Sequence, residues 1–149
     1  MKPMVDERQF ALRVSVALEA EMPVVFGIRK SVFVDEQQVD PREEYDDFET
    51  TSTHLIAYRN ELAVGTARFR ATEKGWKIER MAVLAPYRKM GVGKALLVAA
   101  IQRIPPDGRL TYLHAQEHAL GFYEAQGFLS SGDRFFEAGI PHRLCTRRN

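Results

Sequence analysis

Residues 87–96 read YRKMGVGKAL. Gly91 and Gly93 stand two apart, with Arg88, Lys89 and Met90 before them, Val92 between them and Lys94 after, and an apolar run follows. Glycines remove the Cβ atoms that keep a ligand away from backbone N–H groups. N–H groups at the start of a helix point outward at its positive end. Together they make a cradle for a pyrophosphate, with Arg88 and Lys94 to screen charge. Two nucleotide motifs fail here. The dinucleotide fingerprint needs a third glycine, and residue 96 is Leu; the Walker loop needs Gly-Lys-Ser/Thr preceded by a glycine, and Lys94 is followed by Ala95 while residue 88 is Arg.

Elements of the right kind flank the cradle. "WKIERMAVL" (76–84) precedes it as a strand, and "VGKALLVAAIQRI" (92–104) follows as a helix, with Val92, Leu96, Ala99 and Ala100 on one stripe. Upstream, Phe10, Leu12, Val14 and Val16 alternate, which predicts a strand over 10–16. Apolar positions at Val24, Val25, Ile28, Val32 and Phe33 predict a helix from about Pro23. Segment 40–51 is acidic, a loop or short helix. Residues 54–59 and 62–70 read as a hairpin about Asn60-Glu61. Downstream come a strand over 110–115, a helix over 117–128 closed by Gly127, and two strands around a Gly-Ile-Pro turn (139–141). This order predicts a mixed α+β sheet with helices on both faces, in one domain spanning 1–149.

Composition narrows the function. With 149 residues, 45% hydrophobic, the chain has enough apolar material for one core, and a formal net charge of +1 gives no electrostatic case for nucleic acid. The first ten residues lack an apolar h-region, so no signal peptide is expected, and the longest apolar run, 95–101, is too short for a membrane span. The single cysteine, Cys145, forms no internal disulfide, which fits the cytoplasm. No metal site is expected: His114 and His118 straddle a strand–helix junction, and His-Glu-x-x-His is absent.

"VLAPYRKMGVGKALL" (83–97) resembles the cofactor motif of the GNAT superfamily of N-acetyltransferases. "ALGFYEAQGF" (119–128) is similar to the same family's second motif. Segments 32–46, 65–70, 113–116 and 137–142 look like its YjcF/ElaA-like bacterial branch. The resemblance spans nearly the whole chain. It implies the acyl-CoA N-acyltransferase fold: a mostly antiparallel sheet of six to seven strands flanked by about four helices. It also implies direct acetyl transfer from acetyl-CoA to a primary amine, small molecule or peptide. Two rivals remain at this stage, a non-catalytic acyl-CoA sensor and an acyltransferase using another acyl group. A homodimer through the C-terminal strands is the assembly the resemblance suggests.

The resemblance also assigns residues. Met81, Ala82 and Val83 would lend backbone groups to the pantetheine arm, residues Arg88 to Lys94 would hold the pyrophosphate, and Phe122 and Tyr123 would border the cofactor. Arg80 shares a phase with Ile78 and Ala82, which fits a bulge; in the family this bulge splays two strands and opens the cofactor slot. Tyr123 would protonate the leaving thiolate, or else it merely packs between Phe122 and Phe128. Glu79 is the candidate base, directly or through water, and His114 competes for that role. Arg29, Glu36, Gln37, Arg68 and Gln116 would line the acceptor side, with Arg68 pairing either a substrate carboxylate or Glu79. The acidic cluster Glu43, Glu44, Asp46, Asp47 and Glu49 would attract a cationic amine or simply be a solvated loop.

Overall fold

The computed structural model describes residues 11–148. Among these residues seven strands form one sheet: β1 (Leu12–Val16), β2 (Thr53–Arg59), β3 (Leu62–Ala71), β4 (Trp76–Val83), β5 (Thr111–Gln116), β6 (Leu129–Glu137) and β7 (Ile140–Arg147). Their spatial order is β1-β2-β3-β4-β5-β7-β6. Every pairing is antiparallel except β4 with β5. Phe10, expected to begin the first strand, lies outside the described residues.

The central strands are buried on both faces. Every residue from Val64 to Phe69 is buried, as a strand sandwiched between helices must be. On one face α3 (Val92–Arg103) and α4 (Leu120–Ala125) close the main core, with Leu96, Leu97 and Ala100 fully buried against Leu55, Val64 and Phe128. Burying side chains of this size contributes about 1.5–3 kcal/mol each. On the other face α1 (Met22–Arg29) packs through Ile28, and its continuation through Val32 and Phe33, onto Ala82. Gly65 fixes the seat of α3. A Cβ there would come within 2.9 Å of Val92 Cγ1 and 3.1 Å of Leu96 Cδ1. Its absence lets α3 settle onto β3, and Gly65 pairs with Val83, the last residue of β4. The helix start is therefore held beside the strand end.

Three local expectations shift. The helix expected over 23–37 is α-helical only to Arg29; Lys30–Glu36 widen into a π-helical stretch, where Gln37 N–H reaches Val32 O (3.0 Å). The helix expected over 117–128 opens with a tight 3₁₀ turn, Glu117–Ala119, before α4. The last hairpin turns at Ala138–Gly139, not at Gly139–Pro141, because both of those residues take positive φ (51° and 75°). Such a two-residue turn matches the twist of the flanking strands, and Pro141 already pairs with Phe136 inside β7. Short α2 (Pro41–Glu44) begins with the Asp40 side chain capping Arg42 N–H (2.8 Å).

Candidate active site

β4 and β5 pair only at Trp76–Thr111 and Lys77–Tyr112. Beyond that point β4 bulges. Its register on β3 steps from Arg68–Glu79 to Thr66–Ala82, and Arg80 takes φ 55°. The bulge accounts for Arg80 falling out of phase in the sequence. The strands then part around a cleft of about 1110 Å³. Its walls carry Met81, Ala82 and Val83 on one side, Leu113, His114 and Gln116 on the other, and the 88–94 loop at one end.

At that end Gly91 caps α3 with φ 84°, a left-handed conformation that costs any other L-residue about 1–2 kcal/mol. The first helical bond runs from Ala95 N–H to Gly91 O (3.0 Å). By helix geometry the N–H groups of Val92, Gly93 and Lys94 have no intrahelical acceptor. A Cβ on Gly93 would meet nothing closer than Phe122 Cζ at 3.5 Å, so packing does not demand glycine there. The open space suits an approaching phosphate, and the cradle fits a pyrophosphate. Lys89 and Lys94 stand exposed at its mouth.

Two expectations at this end change. Met90 is 51% exposed and lies off the cleft lining. Arg88 is already engaged: its Nε donates to Val83 O (3.0 Å), and Nη1 and Nη2 donate to Glu36 (2.6 and 2.8 Å). Backbone amides, not a free guanidinium, are what the loop offers an incoming phosphate.

Tyr123 is held by the end of α4. Phe128 N–H bonds Tyr123 O (3.2 Å) and Gly127 N–H bonds Glu124 O (3.1 Å), the two bonds of a Schellman cap. The cap buries Phe128, whose ring meets Tyr123 edge-on at 6.1 Å. The phenol hydroxyl lies 3.9 Å from Met81 Sδ on the cleft wall. Burial pushes the phenol up to about 12. It therefore stays protonated at neutral pH.

The other end of the cleft, expected to take the acceptor, is built differently. Arg29 was expected to meet substrate, and Arg68 to pair either a substrate carboxylate or Glu79; they are 1% and 0% exposed and lie behind the cleft wall, and Arg68 takes the Glu79 alternative. Arg29 Nε bonds Glu44 (2.7 Å) and its Nη1 bonds Glu49 (2.9 Å). Arg68 bonds Asp46 (2.6 Å), Glu49 (2.5 Å) and Glu79 (2.7 Å). Arg80 closes the circuit to Glu44 (3.5 Å) and Asp46 (3.2 Å). Glu44, Asp46 and Glu49 thus form neither a solvated loop nor a free acidic lure. They are the counterions of buried arginines, as a buried charge requires.

Glu79 belongs to the same network. Burial alone would raise its carboxyl, but Arg70, Arg68 and Lys77 hold it down to about 2. Oε2 takes Arg68 Nε (2.9 Å) and Arg70 Nε (2.7 Å), and Oε1 faces Lys77 Nζ (3.2 Å). A carboxylate so stabilised is a poor proton acceptor at neutral pH.

His114 lines the cleft as Glu79 does, but its Nδ1 meets a single carboxylate, 2.6 Å from Glu137 Oε1. Phe135 packs edge-on against its ring at 5.0 Å. Burial would raise the Glu137 carboxyl, but the His114 hydrogen bond together with the charges of His114, His142 and Lys77 lowers it. An ionised carboxylate only accepts, so Nδ1 carries the hydrogen, and in the neutral imidazole Nε2 is the nitrogen with the lone pair. Further along, Gln37 and Gln116 exchange amide hydrogen bonds (3.3 and 3.0 Å) across the cleft, and His118 Nε2 lies 2.7 Å from Gln116 Oε1.

A family model described as an acetyltransferase (GNAT) domain matches residues 19–143. The chain belongs to the GNAT acetyltransferase family. The uncharacterized N-acetyltransferase YjcF of Bacillus subtilis is 37% identical over 127 residues, covering 83% of this chain and 90% of that protein. An acyl-CoA N-acyltransferase from Pseudomonas aeruginosa shares the fold with a TM-score of 0.79 at 26% identity, over 92% of this chain and 99% of that one. A GNAT family acetyltransferase from Elizabethkingia anophelis with acetyl-CoA bound has a TM-score of 0.71 at 16% identity, over 93% and 98% of the two chains, which speaks for the fold. The protein is an N-acetyltransferase that uses acetyl-CoA; a non-catalytic sensor and a different acyl group are not favoured.

Some features of this acetyltransferase escape its sequence. Glu137 and His142 join the cleft from β6 and β7, strands remote in sequence from His114. Arg70 and Lys77 also line it. Two arginines, Arg68 and Arg70, inside an otherwise apolar strand were a signal that buried counterions must exist. No helix among the described residues is long and apolar enough to cross a membrane.

Proposed function

We propose that the acetyl group passes directly to a primary amine, with His114 taking the amine's proton and Tyr123 supplying one to the departing thiolate. The observation that carries this reading is the 2.6 Å His114–Glu137 hydrogen bond in a cleft that Tyr123 also lines. Bound acetyl-CoA supplies the thioester whose carbonyl carbon the amine attacks. Residues 88–94 hold its pyrophosphate through main-chain N–H groups, and Met81 to Val83 flank the pantetheine arm. Glu137 fixes the tautomer that leaves His114 Nε2 free to accept. Tyr123, protonated and shielded, is the matching donor. Gln37 and Gln116 line the acceptor side, whereas Glu36, expected there, is held by Arg88 at the cradle end.

Direct transfer is supported by the lone cysteine. Cys145 is fully buried in β7, and burial raises its thiol, so it is unsuited to carry an acyl group. Residues 1–149 act as one domain in this reading. The unpaired thiol fits a cytoplasmic setting. A homodimer would use the edge strand β6, where Leu129 and Phe136 are 74% and 65% exposed.

Thiol release from acetyl-CoA across a panel of amino acids, polyamines, amino sugars and peptides tests the reading. His114→Gln should lower kcat/KM about a hundredfold at neutral pH. The deficit should shrink at high pH, where more amine is already neutral. Full activity of His114→Gln would remove His114 from the mechanism.

A further inference from the structure

We propose that the acceptor amine also carries a carboxylate, bound by Arg70 and Lys77 at the closed end of the cleft. This rests on the acetyl-transfer reading above and names the class of acceptor. Arg70 and Lys77 are neighbours across β3 and β4, at the last position where β4 still pairs with β5. Both line the cleft, and their side chains are only 15% and 16% exposed.

Both have donors to spare. Arg70 uses Nε on Glu79 (2.7 Å), while its guanidinium lies over the Phe48 ring, 3.8 Å from the centroid. Nη1 and Nη2 have no protein acceptor among the described residues. Lys77 Nζ meets Glu79 Oε1 at 3.2 Å and no other acceptor among them. A guanidinium held flat by an aromatic ring with two N–H edges open is a ready carboxylate receptor.

The ion pairs point the same way. Arg68 is shared among Asp46, Glu49 and Glu79, and Arg80 is shared between Glu44 and Asp46. Arg70 and Lys77 both meet Glu79, so the two cations hold one close carboxylate between them. Glu137, hydrogen-bonded to His114, is the other acid whose charge reaches Lys77.

A diamine would need the reverse, a spare buried acid. Glu44, Asp46 and Glu79 are all matched, and the remaining acid of that wall, Glu43, is exposed at the rim. Position also suits an amino carboxylate. His114 lies two residues along β5 from Tyr112, the partner of Lys77, about 7 Å along the strand. A short amino acid with a hydrogen bond of about 3 Å at each end bridges such a span.

The test compares free amino acids with their carboxamides and with linear diamines, using acetyl-CoA and thiol release. The acids should be preferred by about tenfold or more in kcat/KM. Arg70→Gln and Lys77→Gln should each lower that value about tenfold more for acids than for carboxamides, with the KM for acetyl-CoA unchanged. Carboxamides or diamines that match the acids, or variants that slow acids and carboxamides equally, would overturn the proposal. If no amine releases thiol, the acetyl-transfer reading itself fails. Calorimetry of N-acetylglycine and N-acetylglycinamide on the CoA-loaded protein then decides. Binding of the acid alone, lost in folded Lys77→Gln, upholds the carboxylate site; equal binding or none overturns it.

Discussion

The two ends of the cleft use different materials. The end proposed for the cofactor is made of main chain: a helix start, a left-handed glycine and a strand edge, all within residues 81–95. The acceptor end is made of side-chain charge, with Arg29, Arg68, Arg70, Lys77 and Arg80 matched to acids from the 40–51 segment and β4. Backbone amides bind any pyrophosphate and tolerate change in the residues around them. A network of buried charges tolerates little, because removing one member strands its partner. The contrast explains how one end can announce its ligand while the other encodes its own in long-range pairing.

The largest effect should come from the charged end. Arg68→Met leaves Asp46 and Glu79 without their main counterion and should cost about 3–5 kcal/mol, lowering the thermal midpoint by roughly 10 °C. A midpoint within a degree or two of wild type would mean the network is ornamental. Next is Tyr123→Phe, which keeps the ring between Phe122 and Phe128 and removes only the proton. It should lower kcat by about 10²–10³-fold with acetyl-CoA affinity intact; full turnover would reduce Tyr123 to packing.

Glu79→Gln sharpens the distinction between base and counterion. The folded carboxyl sits at about 2, below the ordinary value of 4.5. Its stabilisation is therefore complete above about pH 4.5 and is lost as pH falls toward 2. The variant should be weaker by about 3 kcal/mol at pH 7, and the two urea midpoints should converge in acid. A constant gap down to pH 2 would contradict the assignment. Smallest is Gly91→Ala, whose penalty of about 1–2 kcal/mol is purely conformational, since nothing lies within 4 Å of the new Cβ. Chemical denaturation reads it, and no loss would mean the cap relaxes.

How much of this could be read from the sequence follows the same divide. The glycine-rich 88–94 helix start and the Gly127 cap depend on contacts within a few residues, so spacing pointed to them, whereas the phase of Arg80 fitted a bulge or an edge-facing arginine equally and the β3–β4 register decides for the bulge. Arg29 and Arg68 were placed at the acceptor wall because their counterions lie 15 to 22 residues away, in a segment whose acidity looks like solvation. Glu137 was missed because it reaches His114 only through the β5–β7–β6 order, with 23 residues intervening. Gly65 looked like an ordinary strand glycine until α3 was seen resting on it.

Main-chain capture of the pyrophosphate is tested most directly by titrating acetyl-CoA calorimetrically into Gly93→Val and Arg88→Gln. A valine side chain at residue 93 must enter the cradle or push Phe122, and should weaken binding by about ten- to a hundredfold. Arg88, half-exposed and already paired with Glu36, should matter by no more than about fivefold. The opposite order, with both variants folded, would move the phosphate grip from the backbone to the arginine.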